Sequence, residues 1–382
     1  MRFEISKVLD AIEDRVCTDP ALARAVLDLA EVVRFADLDG GRPASMLRLG
    51  IVIDALGRLL EEDGVVVYPV VHRALLSDAD LTSNERMVVR RWADDGLVEV
   101  LTNPADRALE LADLLGLPMI TRGRFDGMRD RFGWLASQPG RLLAPVLSAG
   151  GPALVPRGGG PLPPAEPSAN GLRLLARVWH CPESGCTHYG GGGGGGAFAD
   201  LARVERRDSG QPPPTLRTGA PACPRHDARL TDAGPRPRTE VLSVRVGGQI
   251  RRRFVVAADQ AVVVGRAPER GDGIMLGQWL TDEARRWISR SHVRFELRGR
   301  DLVAQDVSTN GSGVRPQGSM EESERLPLAD QKSRVIKPGD IVELYPGVQV
   351  GWAGTWSSGG VPNPTSVMAE APTMAMRLVD RP

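Results

Sequence analysis

Residues 289–311, SRSHVRFELRGRDLVAQDVSTNG, decide how the C-terminal third is read. VRFEL and DLVAQDV alternate apolar and polar residues and are enriched in the side chains that suit a half-buried pleated surface. A glycine-containing turn separates them, so the stretch is two short strands joined tightly. At its ends stand Ser289-Arg290-Ser291-His292 and Ser308-Thr309-Asn310-Gly311. These are polar loop residues with little structural reason to be there.

The same pattern extends outward. VLSVRV (241–246), RRRFVV (251–256), AVVVGR (261–266) and IVELYP (341–346) are further strands of this kind, separated by glycines and polar turns. Residues 236–356 therefore read as an all-β sandwich. A third polar loop, Gly265-Arg266, belongs to the same set. G-R at 265–266, S-x-x-H at 289–292, D-x-S-T-N-G at 306–311 and P-G-D at 338–340 before the last strand occur in that order. Over residues 240–354 the chain resembles a forkhead-associated (FHA) domain.

The resemblance implies a phosphothreonine pocket. A phosphate dianion needs fixed donors and positive charge, and arginine supplies both. Arg266 would contact the phosphate, Ser289 would donate its hydroxyl, and Arg290 would add charge. Thr309 would line the pocket, and Asn310 would hold the ligand backbone. Gly265, His292 and Gly311 would hold the loop geometry. Residues 271–286, GDGIMLGQWLTDEARR, are long for the segment before the S-x-x-H loop, which bears on the choice of ligand sequence.

Upstream, the cysteines form a second pattern. Cys181 and Cys186 flank P-E-S-G, and Cys223-Pro-Arg-His226 follows after a polyglycine run, Gly190 to Gly196. Two short knuckles with Cys and His are the donor set of tetrahedral zinc. The best set is Cys181, Cys186, Cys223 and His226, with His180 and His188 as competing fourth ligands. The arrangement over residues 171–235 resembles a zinc ribbon. The first knuckle has four residues between its cysteines where two are commoner. A closed four-ligand site leaves no position for water, so the expected zinc is structural. A disulfide plus a free thiol is the alternative.

Residues 1–140 alternate helical and strand patterns, which predicts a parallel α/β sheet. Asp19-Pro20 opens a helix running through Leu29. EVVRFADLDG (31–40) reads as a buried strand ending in Asp37 and Asp39. Residues 46–64 form a helix, 65–71 a strand, 83–95 a helix, 97–101 a strand, and 104–116 a helix opening near Asp106. LPMIT begins the last strand. Ligands of such sheets gather at the carboxyl ends of strands. Carboxylates converging there from Asp37, Asp39 and Asp106 would suit magnesium or manganese. The order resembles PIN and NYN nucleases over residues 30–135, which implies RNA as substrate. Those families place another Asp where this chain has Gly123, and Asp126 is out of register with it. The alternatives are turn residues for Asp37 and Asp39 and a helix cap for Asp106. Arg90-Arg91 is the one feature here that favours DNA. His72 has no nucleophile at recognisable spacing, and Cys17 reads as a small core residue.

Lys plus Arg and Asp plus Glu are both 48, so no bulk charge draws the chain to nucleic acid or membrane. No apolar run approaches the ~20 residues that span a bilayer. Four clustered or isolated cysteines are not a disulfide framework, which points to a reducing, cytoplasmic compartment. The Ala, Arg, Gly and Pro content suggests a bacterial source. Residues 141–170 are rich in Gly and Pro and read as a linker. Residues 357–382 read as a disordered tail, where Thr365 or Thr373, once phosphorylated, would be an internal ligand.

The expectation is a multidomain, non-catalytic signalling or scaffold protein. It would bind a phosphothreonine-containing partner and so read Ser/Thr kinase output. A metal-dependent ribonuclease and a nucleic-acid-binding regulator stay open as alternatives.

Overall fold

The computed structural model describes residues 2–190, 211–258, 260–269, 273–318, 326–328 and 333–358. The polyglycine run from 191, part of the 271–286 segment, Thr365 and Thr373 lie outside the described residues. No described helix is long and apolar enough to cross a membrane.

The N-terminal part is a six-stranded sheet: β1 (Ala23–Asp28), β2 (Val66–His72), β3 (Glu99–Leu101), β4 (Met119–Ile120), β5 (Leu142–Ser148) and β6 (Gly151–Pro156). Their order is β3-β2-β1-β4-β5-β6. All neighbours are parallel except β5 and β6. Helices α1 (Arg2–Glu13), α2 (Leu29–Val32), α3 (Leu47–Leu60) and α4 (Ser83–Asp94) share one core with Ala25, Leu27, Val67 and Val71. Helices α5 (Pro104–Leu115) and α6 (Trp134–Ser137) share another core with Ala23, Val26, Tyr68 and Met119. Both sheet faces are thus covered, as a parallel sheet requires.

Three expectations are corrected here. ALARAVLD is the central strand, not a helix. Asp19 accepts Ala21 N at 2.9 Å and folds the segment into a turn. Ala25, Val26 and Leu27 are all 0% exposed, so the segment has no solvent face for a surface helix to present. Burial between two strands overrides the helix preference of Ala and Leu. In turn, EVVRFADLDG is not a strand. It finishes α2 and continues into a 3-10 turn over Ala36–Leu38, so Asp37 and Asp39 stand at no strand end. Asp28 takes that place. Finally, residues 142–156 are not linker but the hairpin that completes the sheet. Its prolines are tolerated because β4 pairs only with Leu142 and Leu143, which leaves Pro145 nothing to donate to on that side.

The cysteine segment contains α7 (Ala169–Leu175), β7 (Arg177–His180), β8 (Thr215–Arg217), β9 (Ala220–Ala222) and β10 (Thr231–Pro235). It docks on α5. Glu110 accepts Thr215 Oγ1 at 2.8 Å and Leu216 N at 2.9 Å. Arg107, 4% exposed, donates to Glu99 and Glu110 and to the carbonyls of Pro213 and Pro214. Tyr68 Oη donates to the same Glu99. The Arg107 guanidinium is thus satisfied on every side, the condition under which a buried charge is tolerable.

The C-terminal part contains β11 (Thr239–Val246), β12 (Gln249–Ala257), β13 (Val262–Gly265), β14 (Ile274–Met275), α8 (Asp282–Trp287), β15 (Val293–Arg298), β16 (Asp301–Asp306), β17 (Ser312–Arg315), β18 (Leu326–Leu328), β19 (Ser333–Ile336), β20 (Ile341–Tyr345) and β21 (Val348–Trp352). They form two sheets, β12-β11-β21-β20-β17-β18 and β14-β13-β15-β16-β19. Inward residues of both, among them Leu242, Phe254, Val264, Phe295 and Leu344, make one core. This is the sandwich that the alternation predicts, and it contains every strand read from the sequence.

Candidate functional site

Three loops of the sandwich meet at one end. β13 ends at Gly265, and a side-chain carbon there would sit 2.0 Å from Arg290 O. Only glycine lets the loops approach this closely. The contact is closed by Arg266 N donating to Ser289 O at 3.0 Å and Ala267 N to Arg290 O at 3.3 Å. His292 is fully buried and works as a strut: its N donates to Val264 O, its Nδ1 accepts Ser289 N at 3.0 Å, and its O accepts Val307 N. The third loop is folded by Asp306, which accepts Ser308 N and Ser312 N. Gly311 has φ +83° and donates to Ser308 Oγ at 2.9 Å.

The functional side chains ride on this frame. Thr309 N donates to Ser289 Oγ at 3.1 Å, so the serine hydroxyl hydrogen remains available to another acceptor. Asn310 Nδ2 donates to Trp287 O at 2.7 Å, which fixes the amide and leaves its oxygen open. Among the described residues, no ion pair involves the Arg266 or Arg290 side chain. Guanidinium and hydroxyl donors are the group types that suit a multiply charged oxyanion. Sequence reasoning named these residues and counted Asp306 in the motif without giving it a role; it missed the Trp287 carbonyl, which sets the Asn310 rotamer.

The second centre is the cysteine cluster. Cys181, Cys186 and Cys223 are 1%, 4% and 0% exposed, and none is in a disulfide. Cys186 Sγ lies 3.8 Å from Cys223 Sγ, while His226 Nδ1 lies 3.6 Å from Cys181 Sγ and 3.5 Å from Cys223 Sγ. A tetrahedral zinc with bonds of about 2.3 Å to sulfur places its sulfurs about 3.8 Å apart. The donor set fits the ion. The hydrogen bond between the two sulfurs pushes the Cys186 thiol down to about 4 and that of Cys223 up. His180 and His188 lie outside the group. His180 is exposed, and His188 is half-buried with its ring edge-on to Tyr189.

The acids do not assemble. Among the described residues, the Cys181, Cys186, Cys223 and His226 group is the one set that gathers three or more ligating side chains within 4.8 Å. Asp37 is bound by both Nη atoms of Arg122, at 2.7 and 2.8 Å, which holds its carboxyl below the usual range. Asp39 accepts Arg48 Nε at 3.0 Å and Gly41 N at 2.9 Å. Asp106 Oδ2 accepts Arg131 at 2.8 Å, leaving Oδ1 buried without a hydrogen bond. Arg91 pairs with Glu13 and Asp10, and Arg90 donates to Leu76 O, so neither forms an open cationic patch. His72 Nδ1 accepts Ala74 N as a cap, and Cys17 is a core residue.

Asp28, at the carboxyl end of β1, was not found from sequence because its strand was read as a helix. Burial pushes its carboxyl up to about 6, against the Ala30 amide that lowers it. The folded state then holds a proton that the unfolded chain releases near the ordinary aspartate value. Its contribution to stability is present at low pH and is lost as pH rises towards neutrality. Asp28→Asn keeps the capping oxygen and removes that penalty. The variant is expected to be more stable at pH 7, by on the order of 2–3 kcal/mol, with no advantage below about pH 4. Denaturant titrations at the two pH values check this.

Among solved structures, the chain is similar to the FHA domain of human APLF in complex with an XRCC1 bisphospho peptide. The identity is 23% and the TM-score 0.22, over 29% of this chain and 97% of that chain. It is also similar to the MEK1 FHA domain, at 22% identity and TM-score 0.23, over 30% of this chain and 86% of that chain. The FHA domain of the CT664 protein from Chlamydia trachomatis matches at 20% identity and TM-score 0.22, over 30% of this chain and 94% of that chain. No protein-family model matches the chain. No curated protein matches it either.

Proposed function

We propose that the C-terminal sandwich binds phosphothreonine on a protein partner and thereby docks the chain onto the output of a Ser/Thr kinase. The observation that carries this reading is the loop cluster itself. The loops carrying Arg266, Ser289 and Arg290 are tied together through backbone hydrogen bonds, and Ser289 Oγ accepts Thr309 N from the third loop. In this reading Arg266 and Ser289 contact the phosphate and Arg290 adds charge. Thr309 lines the pocket, and the Asn310 oxygen takes a backbone N–H of the ligand. The motif order supports phosphothreonine over other phosphoanions.

Zinc held by Cys181, Cys186, Cys223 and His226 is structural in this reading, since four protein ligands leave no open position. It braces a segment with little apolar surface of its own. The N-terminal domain is read as a docking platform, because Asp37, Asp39 and Asp106 are each engaged by an arginine.

The test is isothermal titration of the full chain with one peptide in three forms: phosphothreonine, phosphoserine and unmodified. Binding of the first alone is expected. Equal affinity for all three removes the proposal.

A further inference from the structure

The sandwich does not hang freely from the N-terminal domain. The turn after α3, Glu61-Glu62-Asp63-Gly64, lies against strand β12, an edge of its sheet. An edge strand presents unpaired backbone groups. Here Asp63 N donates to Ile250 O at 2.9 Å, and Glu62 bridges Ile250 in parallel register.

The side chains are matched in charge. Glu62 is 1% exposed and binds Arg253 Nη2 of the sandwich at 3.0 Å and Arg24 Nε of β1 at 3.3 Å. Arg251 pairs with Asp63 at the rim. One carboxylate therefore ties the central strand of one domain to the edge strand of the other. Two backbone features allow the approach. Glu61 takes a left-handed conformation, φ +54°, that turns the chain out of α3. A side-chain carbon on Gly64 would lie 2.2 Å from Arg251 O.

We infer that Glu61–Gly64 and Ile250–Arg253 form an intramolecular docking surface, an acidic turn on a basic sheet edge, that holds the sandwich in one orientation on the α/β domain. Whatever the sandwich binds is then presented to the rest of the chain in a single geometry. The inference does not depend on what that ligand is. Residues 142–156 belong to the sheet, and α7 begins at Ala169. A buried pair also resists salt better than a surface one.

The test is single-molecule energy transfer on the full chain, with labels at the exposed positions Asp80 and Arg300. Labels are attached by chemistry that spares the four cysteines. The wild type is expected to show one narrow distance distribution that persists at high salt. Arg253→Glu sets two acids face to face, and Gly64→Val blocks the backbone approach. Each is expected to broaden the distribution while far-ultraviolet circular dichroism and zinc content are retained. The two variants act on different domains, so a folding defect in one leaves the other to decide. A broad wild-type distribution, or a folded variant as narrow as the wild type, overturns the inference.

Discussion

Arg266→Ala is expected to abolish binding of a phosphothreonine peptide while leaving the sandwich folded. Arg266 has no ion pair to lose among the described residues, so the fold does not depend on its charge. Its backbone N donates to Ser289 O whatever the side chain is. Removing one side of a buried, hydrogen-bonded charge pair typically costs 2–5 kcal/mol, or about thirty-fold to several thousand-fold in affinity. Arg290→Ala, at the exposed rim of the neighbouring loop, is expected to cost less and to reduce the salt dependence of binding. His292→Ala belongs to another class. It removes the acceptor of Ser289 N and leaves a cavity in the loop frame, so it is expected to lower stability and binding together. Titration calorimetry at fixed ionic strength, with thermal unfolding of each variant, separates these outcomes. Arg266→Ala binding as tightly as the wild type removes the pocket assignment.

The second large effect is expected on losing the metal. Structural zinc contributes roughly 10–16 kcal/mol of apparent folding free energy to small zinc-finger peptides at neutral pH. Here the cluster core is small. Leu174, Trp179, Tyr189 and Leu230 are its main apolar members besides the cysteines. Cys223→Ser is therefore expected to eliminate zinc from a chain that otherwise carries one equivalent by elemental analysis. It is also expected to expose residues 177–190 and 211–235 to protease. Docking of residues 213–216 on Arg107 and Glu110 should loosen with it. Thiolate ligands must be deprotonated, so chelators should strip the wild type faster as pH falls. The sandwich has its own core and should keep its peptide affinity. A zinc-free wild type with unchanged protease resistance would show that the four side chains pack without an ion.

Some of this was legible beforehand because it depends on local pattern. Strand alternation over 241–346 reports which face each residue presents. That is a property of the pleat and survives whatever packs against it. The Cys181–Cys186 and Cys223–His226 spacings report two short turns, and the fold brings the four side chains within 4.8 Å of one another. Helices α3, α4 and α5 were readable from apolar spacing and caps. Thr82 and Glu85 form a capping box, and Gly116 closes α5 in a left-handed conformation.

What failed depends on long-range burial. ALARAVLD has the composition of a helix and becomes the central strand, because β2 and β4 take both its edges. Residues 142–156 have the composition of a linker and become a hairpin, because β4 offers it an open edge. Asp37, Asp39 and Asp106 looked like a convergent acid cluster. Arg122 and Arg131 reach Asp37 and Asp106 from 85 and 25 residues away, beyond any local sequence window, and Arg48 reaches Asp39 across a turn that the strand reading of residues 31–40 did not contain.

By itself, then, the sequence determined the β-sandwich, the order of its polar loops and the composition of the cysteine–histidine cluster, because period-two patterning and residue spacing are local. Only the tertiary structure decided which segment became the central strand, which acids were neutralised, and that Glu62 ties the sandwich to the α/β domain. Those outcomes rest on burial and on charges that meet across the fold, and a buried carboxylate's partners are set by what surrounds it in space.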